Sequence, residues 1–104
     1  MTKKEELLVK TADVQVRVMH LDPGEAVAWH SHSEVDDFSI CLSGRIQVRL
    51  RDPEGTLTLE PGQRARVPAG TVHQVANLLD ETGSEYLLIQ GVGTYDFIRV
   101  AGQA

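Results

Sequence analysis

Cysteine, positive charge and long apolar runs are what this chain of 104 residues has least of. Its single cysteine, Cys41, excludes an internal disulfide and a cysteine-cluster metal site, and it suits a cytosolic setting. The formal charge of −5, from 15 acidic and 10 basic residues interspersed, argues against non-specific nucleic-acid binding. No apolar run approaches membrane-spanning length, and the opening Met1-Thr2-Lys3-Lys4-Glu5-Glu6 has no signal-peptide core behind it. Linkers, repeats and low-complexity tracts are missing as well. So are the Gly-x-Ser-x-Gly elbow, the phosphate-cradling glycine loop and the His-Glu-x-x-His helix. These absences leave one compact cytoplasmic domain over residues 1–104, with no nucleic-acid or membrane partner expected.

What is present is strands and turns. Val14, Val16 and Val18 alternate with Gln15 and Arg17, the period-2 pattern of a half-buried strand. Asp22-Pro23-Gly24 closes that strand as a turn. Residues 27–33 read as a second strand and 38–42 as a third. Ile46, Val48 and Leu50 then alternate with Arg45, Gln47, Arg49 and Arg51, giving one dry and one wet face. After the turn Asp52-Pro53-Glu54-Gly55 comes a return strand through Leu57 and Leu59, and short strands follow at 65–67, 73–77 and 86–90. Residues 4–10, within an N-terminal arm of residues 1–12, fit either a helical turn or an added edge strand. Closely spaced turn signals without a long helical period indicate an all-β sandwich or barrel.

Four histidines carry the chemical interest: His20, His30, His32 and His73. The i, i+2 spacing of His30 and His32 puts both imidazoles on one face of a strand, where they can converge on an ion. Taken alone, a His-x-His pair is more often two solvated surface residues. The surroundings change that balance. Gly24, His30, His32, Asp37 and Gly44 fall at fixed intervals, and so do Gly62, Pro68, Gly70, His73 and Asn77. The two sets resemble the paired motifs of the cupin family, G(X)5HXH(X)3,4E(X)6G and G(X)5PXG(X)2H(X)3N. The second is matched at every position, and Asn77 is the only asparagine in the chain. The resemblance spans Gly24 to Asn77, just over half the sequence.

The resemblance implies a small double-stranded β-helix, or jelly-roll, barrel with an ion inside its open mouth. The implied ligands are His30, His32, Asp37 and His73, holding one divalent transition-metal ion: Fe, Mn, Ni, Cu or Zn. Aspartate stands where the family usually has glutamate, and it is one methylene shorter. Asp37 keeps the six-residue interval to Gly44, while Asp36, Glu34 or histidines alone are the alternatives.

Strand parity adds a second expectation. With Asp37 inward, Ser39 and Cys41 point inward too, and Phe38, Ile40 and Leu42 face out. Those three apolar side chains need cover, which a second subunit would supply, so a homodimer is expected unless a bulge shifts the parity. Trp29 points away from the ion; Cys41 reads as inert packing, with a redox or sulfur-ligand role open; Arg64 and Arg66 read as solvated, as do Arg45, Gln47 and Arg49, with an anion contact open to those three. Gln74, Tyr86 and Tyr95 are candidates for pocket polar groups, and His20 is structural. The function expected is a metal-dependent enzyme on a small polar metabolite, a dioxygenase first and an isomerase or decarboxylase second. The alternative is a non-catalytic module that binds or senses a small ligand.

Overall fold

The computed structural model describes residues 4–91 and 96–100. It is all-β: ten strands in two antiparallel five-stranded sheets. The strands are β1 (Glu5–Lys10), β2 (Val14–Leu21), β3 (His30–Ser31), β4 (Asp36–Ser43), β5 (Ile46–Leu50), β6 (Gly55–Leu59), β7 (Arg64–Val67), β8 (His73–Asn77), β9 (Ser84–Gly91) and β10 (Ile98–Arg99). One sheet runs β1-β2-β9-β4-β7 and the other β10-β3-β8-β5-β6. Among the described residues no helix is long and apolar enough to cross a membrane.

Alternation decides what the two sheets bury between them. Ile46 and Val48 on β5 are fully buried, with Gln47 and Arg49 on the opposite face. They pack with Leu21, Leu59, Val67, Val75, Tyr86 and Leu88 into one core. On β4 the inward phase is Asp37, Ser39 and Cys41, all buried, while Phe38 and Leu42 are exposed. No bulge shifts that parity before Cys41.

Glycine at position 44 is required rather than tolerated. Its φ is +80°, and an added Cβ would stand 2.1 Å from Ser84 Oγ. That serine is itself fully buried, donating to Asn77 Oδ1 at 2.7 Å and accepting from Arg45 N at 3.0 Å. Asn77 extends the knot. Its amide donates to Asp22 O at 3.0 Å and Thr82 O at 2.9 Å, and its oxygen accepts from Leu79 N at 3.0 Å. One buried side chain thereby ties two turns to the end of β8.

Three differences from the sequence reading and one alternative now decided are informative. The strand expected over 27–33 shrinks to His30–Ser31; the residues before it follow β8 through separate bonds, Val27 N to Val75 O at 2.9 Å and an isolated Ala26–Ala76 bridge. Residues 4–10 take the edge-strand alternative, pairing with β2 across a register shift. Strand β10 had no sequence signal: it is two residues long and pairs with β3. Finally, the valines of β2 face outward and half-buried, whereas Gln15 and Leu21 are buried on the inward face. The sheet's outer face is consequently apolar in two cross-strand rows, Val16–Ile89–Phe38 and Val18–Leu87–Ile40.

Candidate metal centre

Strand pairing alone assembles half of the centre. His30 and His73 are direct cross-strand partners on β3 and β8, so their rings share a face, with centroids 4.3 Å apart. His32, two residues on, returns to the same side with its ring 4.9 Å from His30. Its main chain is pinned there by Gly70 N, which donates to His32 O at 2.7 Å. Asp37 arrives from the other sheet, near the start of β4. Its Oδ2 lies 2.9 Å from His73 Nε2 and 3.2 Å from His32 Nε2. One atom from each of His30, His32, Asp37 and His73 falls within 4.8 Å of all the others, and all four residues are buried.

The hydrogen-bond partners behind the rings fix their tautomers. His30 Nδ1 donates to Ala28 O at 2.7 Å, His73 Nδ1 to Thr71 O at 2.9 Å, and His32 Nδ1 to Asp96 O. With each Nδ1–H so committed, a neutral ring has only a lone pair at Nε2. On His73 that lone pair faces a carboxylate oxygen, which is also an acceptor; on His32 it faces the same oxygen, with the Gln90 amide as a long donor at 3.4 Å. Lone pairs aimed at one another in a dry site repel unless a proton or a cation sits between them. A histidine that donates its other N–H to a backbone carbonyl is also the usual outer support of a metal ligand. The donor set therefore fits a divalent transition metal.

Burial and the shared carboxylate move the titrating groups of the cluster in different directions. Burial, helped by the neighbouring imidazoles His73 and His32, holds His30 down to about 4 despite its bond to Ala28. Burial also opposes charge on His32, but its hydrogen bond to Asp37 and that carboxylate's charge outweigh it and raise the ring. Asp37 pays for burial and is still held well below the usual carboxylate range by His32, His73 and Gln90. Gln90, the cross-strand neighbour of Asp37, donates to its other oxygen at 2.9 Å.

The carboxylates left open in the sequence are now separated. Asp36 accepts from Arg66 Nη2 at 2.6 Å and Ala69 N at 2.8 Å, bracing the turn before β8. Glu34 is exposed, and the structure brings neither residue to the histidines. Of the pocket candidates, Tyr86 lines the cavity beside the cluster, whereas Gln74 donates to Val27 O and accepts from Arg49. Tyr95 lies outside the described residues. Trp29 does point away: the Arg51 guanidinium sits 4.2 Å above its ring. Arg66, expected to be solvated, is exposed but paired with Asp36. Cys41 is buried with its thiol pKa raised by that burial, which fits packing. His20 lies between Asp22 and Glu85, away from the cluster.

Three contributors escaped the sequence reading. Phe97 stacks on His30 at 4.1 Å and 15°, and Asp96 carries the carbonyl that orients His32. Neither stands in a motif or in a strand long enough to show a period. Gln90 was legible in principle. It continues the inward series Ser84, Tyr86, Leu88, and a polar residue in a core-facing phase marks a site.

A two-sheet β-barrel with three imidazoles and a carboxylate gathered in its interior defines a class of small-molecule and metal-site proteins. The Cupin_2 family model, the cupin domain, matches residues 17–90, and the chain belongs to that family. A mannose-1-phosphate guanylyltransferase of Sinorhizobium fredii (strain NBRC 101917 / NGR234) is 28 % identical over 97 residues. The match takes in 86 % of this chain but only 18 % of that enzyme, so the chain spans a small part of the curated relative's length. Among solved structures, an uncharacterized conserved protein with a double-stranded β-helix domain from Klebsiella pneumoniae subsp. pneumoniae MGH 78578 is similar. It has a TM-score of 0.79 at 24 % identity, covering 92 % of this chain and 77 % of that one. An oxalate oxidase matches with a TM-score of 0.77 at 15 % identity, covering 85 % and 46 %. At these identities the structural likeness speaks for the fold.

Proposed function

We propose that the chain is a metal-dependent cupin acting on a small polar metabolite, with His30, His32, Asp37 and His73 holding one Fe, Mn, Ni, Cu or Zn ion. The observation that carries this reading is the commitment of all three Nδ1–H groups to backbone carbonyls while the fourth ligand, a carboxylate, faces the opposite ring nitrogens. Such an ion would supply Lewis acidity or the redox chemistry that dioxygen activation needs. The chain's own residues do the rest. Asp37, His30 and His32 form one wall, Gln90 orients Asp37, and Met19, Val27, Leu88 and Phe97 give the remainder of a cavity of about 240 Å³ an apolar lining. Dioxygenase chemistry is the first assignment, with isomerase or decarboxylase chemistry second.

A non-catalytic binding role is the second reading, favoured by one observation. Apart from Asp37, the carboxylate lining the cavity among the described residues is Glu5, and it is engaged by Arg17. We also place a second copy of the chain against the outer rows Val16–Ile89–Phe38 and Val18–Leu87–Ile40, which a cytoplasmic homodimer would cover. Metal analysis of untagged protein beside His73→Ala tests the centre: one ion per chain that is lost on substitution supports it, and unchanged content refutes it. Anaerobic loading with Fe(II) followed by oxygen uptake over a metabolite panel tests the reaction, and no uptake removes the dioxygenase assignment.

A further inference from the structure

The cavity beside the histidines has one guanidinium among the described residues that line it, and that guanidinium is held in place. Arg17 projects inward from β2 with its side chain 12 % exposed. Its Nη2 donates to Gln90 Oε1 at 2.6 Å, and Gln90 Nε2 donates to Asp37 Oδ1 at 2.9 Å. The guanidinium thus stands one carboxamide away from the cluster's carboxylate. On its other edge, Arg17 Nη1 donates to Glu5 Oε2 at 3.0 Å. Glu5 is at the rim, half-exposed on the edge strand, and a pair that open to water contributes little. The walls between are aliphatic, and Tyr86 adds a phenol kept neutral by burial and by the nearby Asp37 charge.

Charge counting narrows what fits. On the metal reading above, a divalent ion with one carboxylate leaves a single positive charge, and the Arg17–Glu5 pair adds none. A monoanion completes the balance, and a planar guanidinium is shaped to take a carboxylate through paired N–H groups. Glu5 already shows a carboxylate bound to Arg17 from the solvent side.

We propose that Arg17 is the anion anchor of this cavity, and that the ligand is a short carboxylic acid carrying a second oxygen toward His30, His32 and His73. Glu5 is then a built-in competitor that the ligand carboxylate displaces or shares.

Calorimetric titration with L-lactate and its neutral counterpart L-lactamide tests this, using full-length protein loaded with Zn(II) and metal content measured in parallel. Wild-type protein should prefer the acid by roughly 10- to 100-fold, the span expected for a charge-assisted hydrogen-bond pair. Arg17→Met should erase the preference while leaving lactamide affinity in place, and Arg17→Lys should restore part of it. Glu5→Gln should tighten lactate alone, by a few-fold. Lactate bound no tighter than lactamide by the wild type overturns the proposal, as does a preference that survives Arg17→Met with full metal. Should the wild type hold no metal, the metal reading fails separately, and the same titrations on metal-free protein decide the role of Arg17 by the same criterion. Should Arg17→Met fail to fold, Arg17→Lys and Glu5→Gln decide it: unchanged acid preference in both overturns it.

Discussion

Replacing Asp37 with asparagine removes one charge and almost no volume from the centre of the molecule. In the metal-free protein, Asp37 is 4 % exposed and its hydrogen bond and charge raise His32, so that ring carries a proton at about pH 5. Without the carboxylate, a buried imidazolium gives up its proton. At about pH 5 that costs 1.36 kcal/mol for each unit below the ordinary value near 6.5, or about 2 kcal/mol. Around pH 8 the ring is neutral in the unfolded chain, and an asparagine amide can donate to the Nε2 lone pair, so the cost falls to about zero. For a chain this size, 2 kcal/mol corresponds to a fall in Tm of about 10 °C. Zn(II) affinity should drop at both pH values, by more than the roughly 10- to 100-fold that losing an outer-shell partner costs. Thermal melts by circular dichroism, with and without Zn(II), read both effects. Equal loss of Tm at the two pH values would show that the cost is packing and not charge. Unchanged metal affinity would remove Asp37 from the ligand set.

The other predictions concern pH, the Gly44 turn and the outer sheet face. His30 has a folded pKa near 4, below its ordinary value, so the unfolded chain binds more protons between about pH 4 and 6.5 and stability rises with pH there, by about 3 kcal/mol in all. His32 has the opposite sign: its raised folded pKa gives stability that is complete below about pH 6.5 and lost above it. Metal-free protein should therefore be most stable near pH 6.5 in urea titrations, and a maximum well into the acid range would contradict both assignments. Gly44→Ala should cost about 3 kcal/mol or more, from a left-handed φ of +80° and a Cβ driven into Ser84 Oγ; an unchanged denaturation midpoint would show that the turn yields. Phe38→Lys should convert a dimer to a monomer in analytical ultracentrifugation without altering metal content, whereas a monomeric wild type would remove the second copy.

The sequence showed the frame better than the furniture. The two motifs marked His30, His32, Asp37 and His73 because they set these side chains at fixed distances from turn glycines, and parity from Asp37 placed Ser39 and Cys41 inside. Arg17 escaped because an arginine alternating with valines reads as solvated, when here the alternation runs the other way and the polar phase faces a functional interior. Apolar content over 27–33 predicts a longer strand than the observed His30–Ser31 because it carries no information about which backbone groups find ladder partners. Asp96 and Phe97 were invisible for a different reason: each acts through one contact reaching far along the chain.

That reach has a kinetic meaning. The hydrogen bond from His32 to Asp96 spans 64 positions and that from Gln90 to Asp37 spans 53, and the close approach of His73 to Asp37 spans 36. Closing such loops is entropically uphill until most of the barrel has formed, so the four donors meet late. An added ion should consequently slow unfolding far more than it hastens refolding, because the transition state does not yet own the cage.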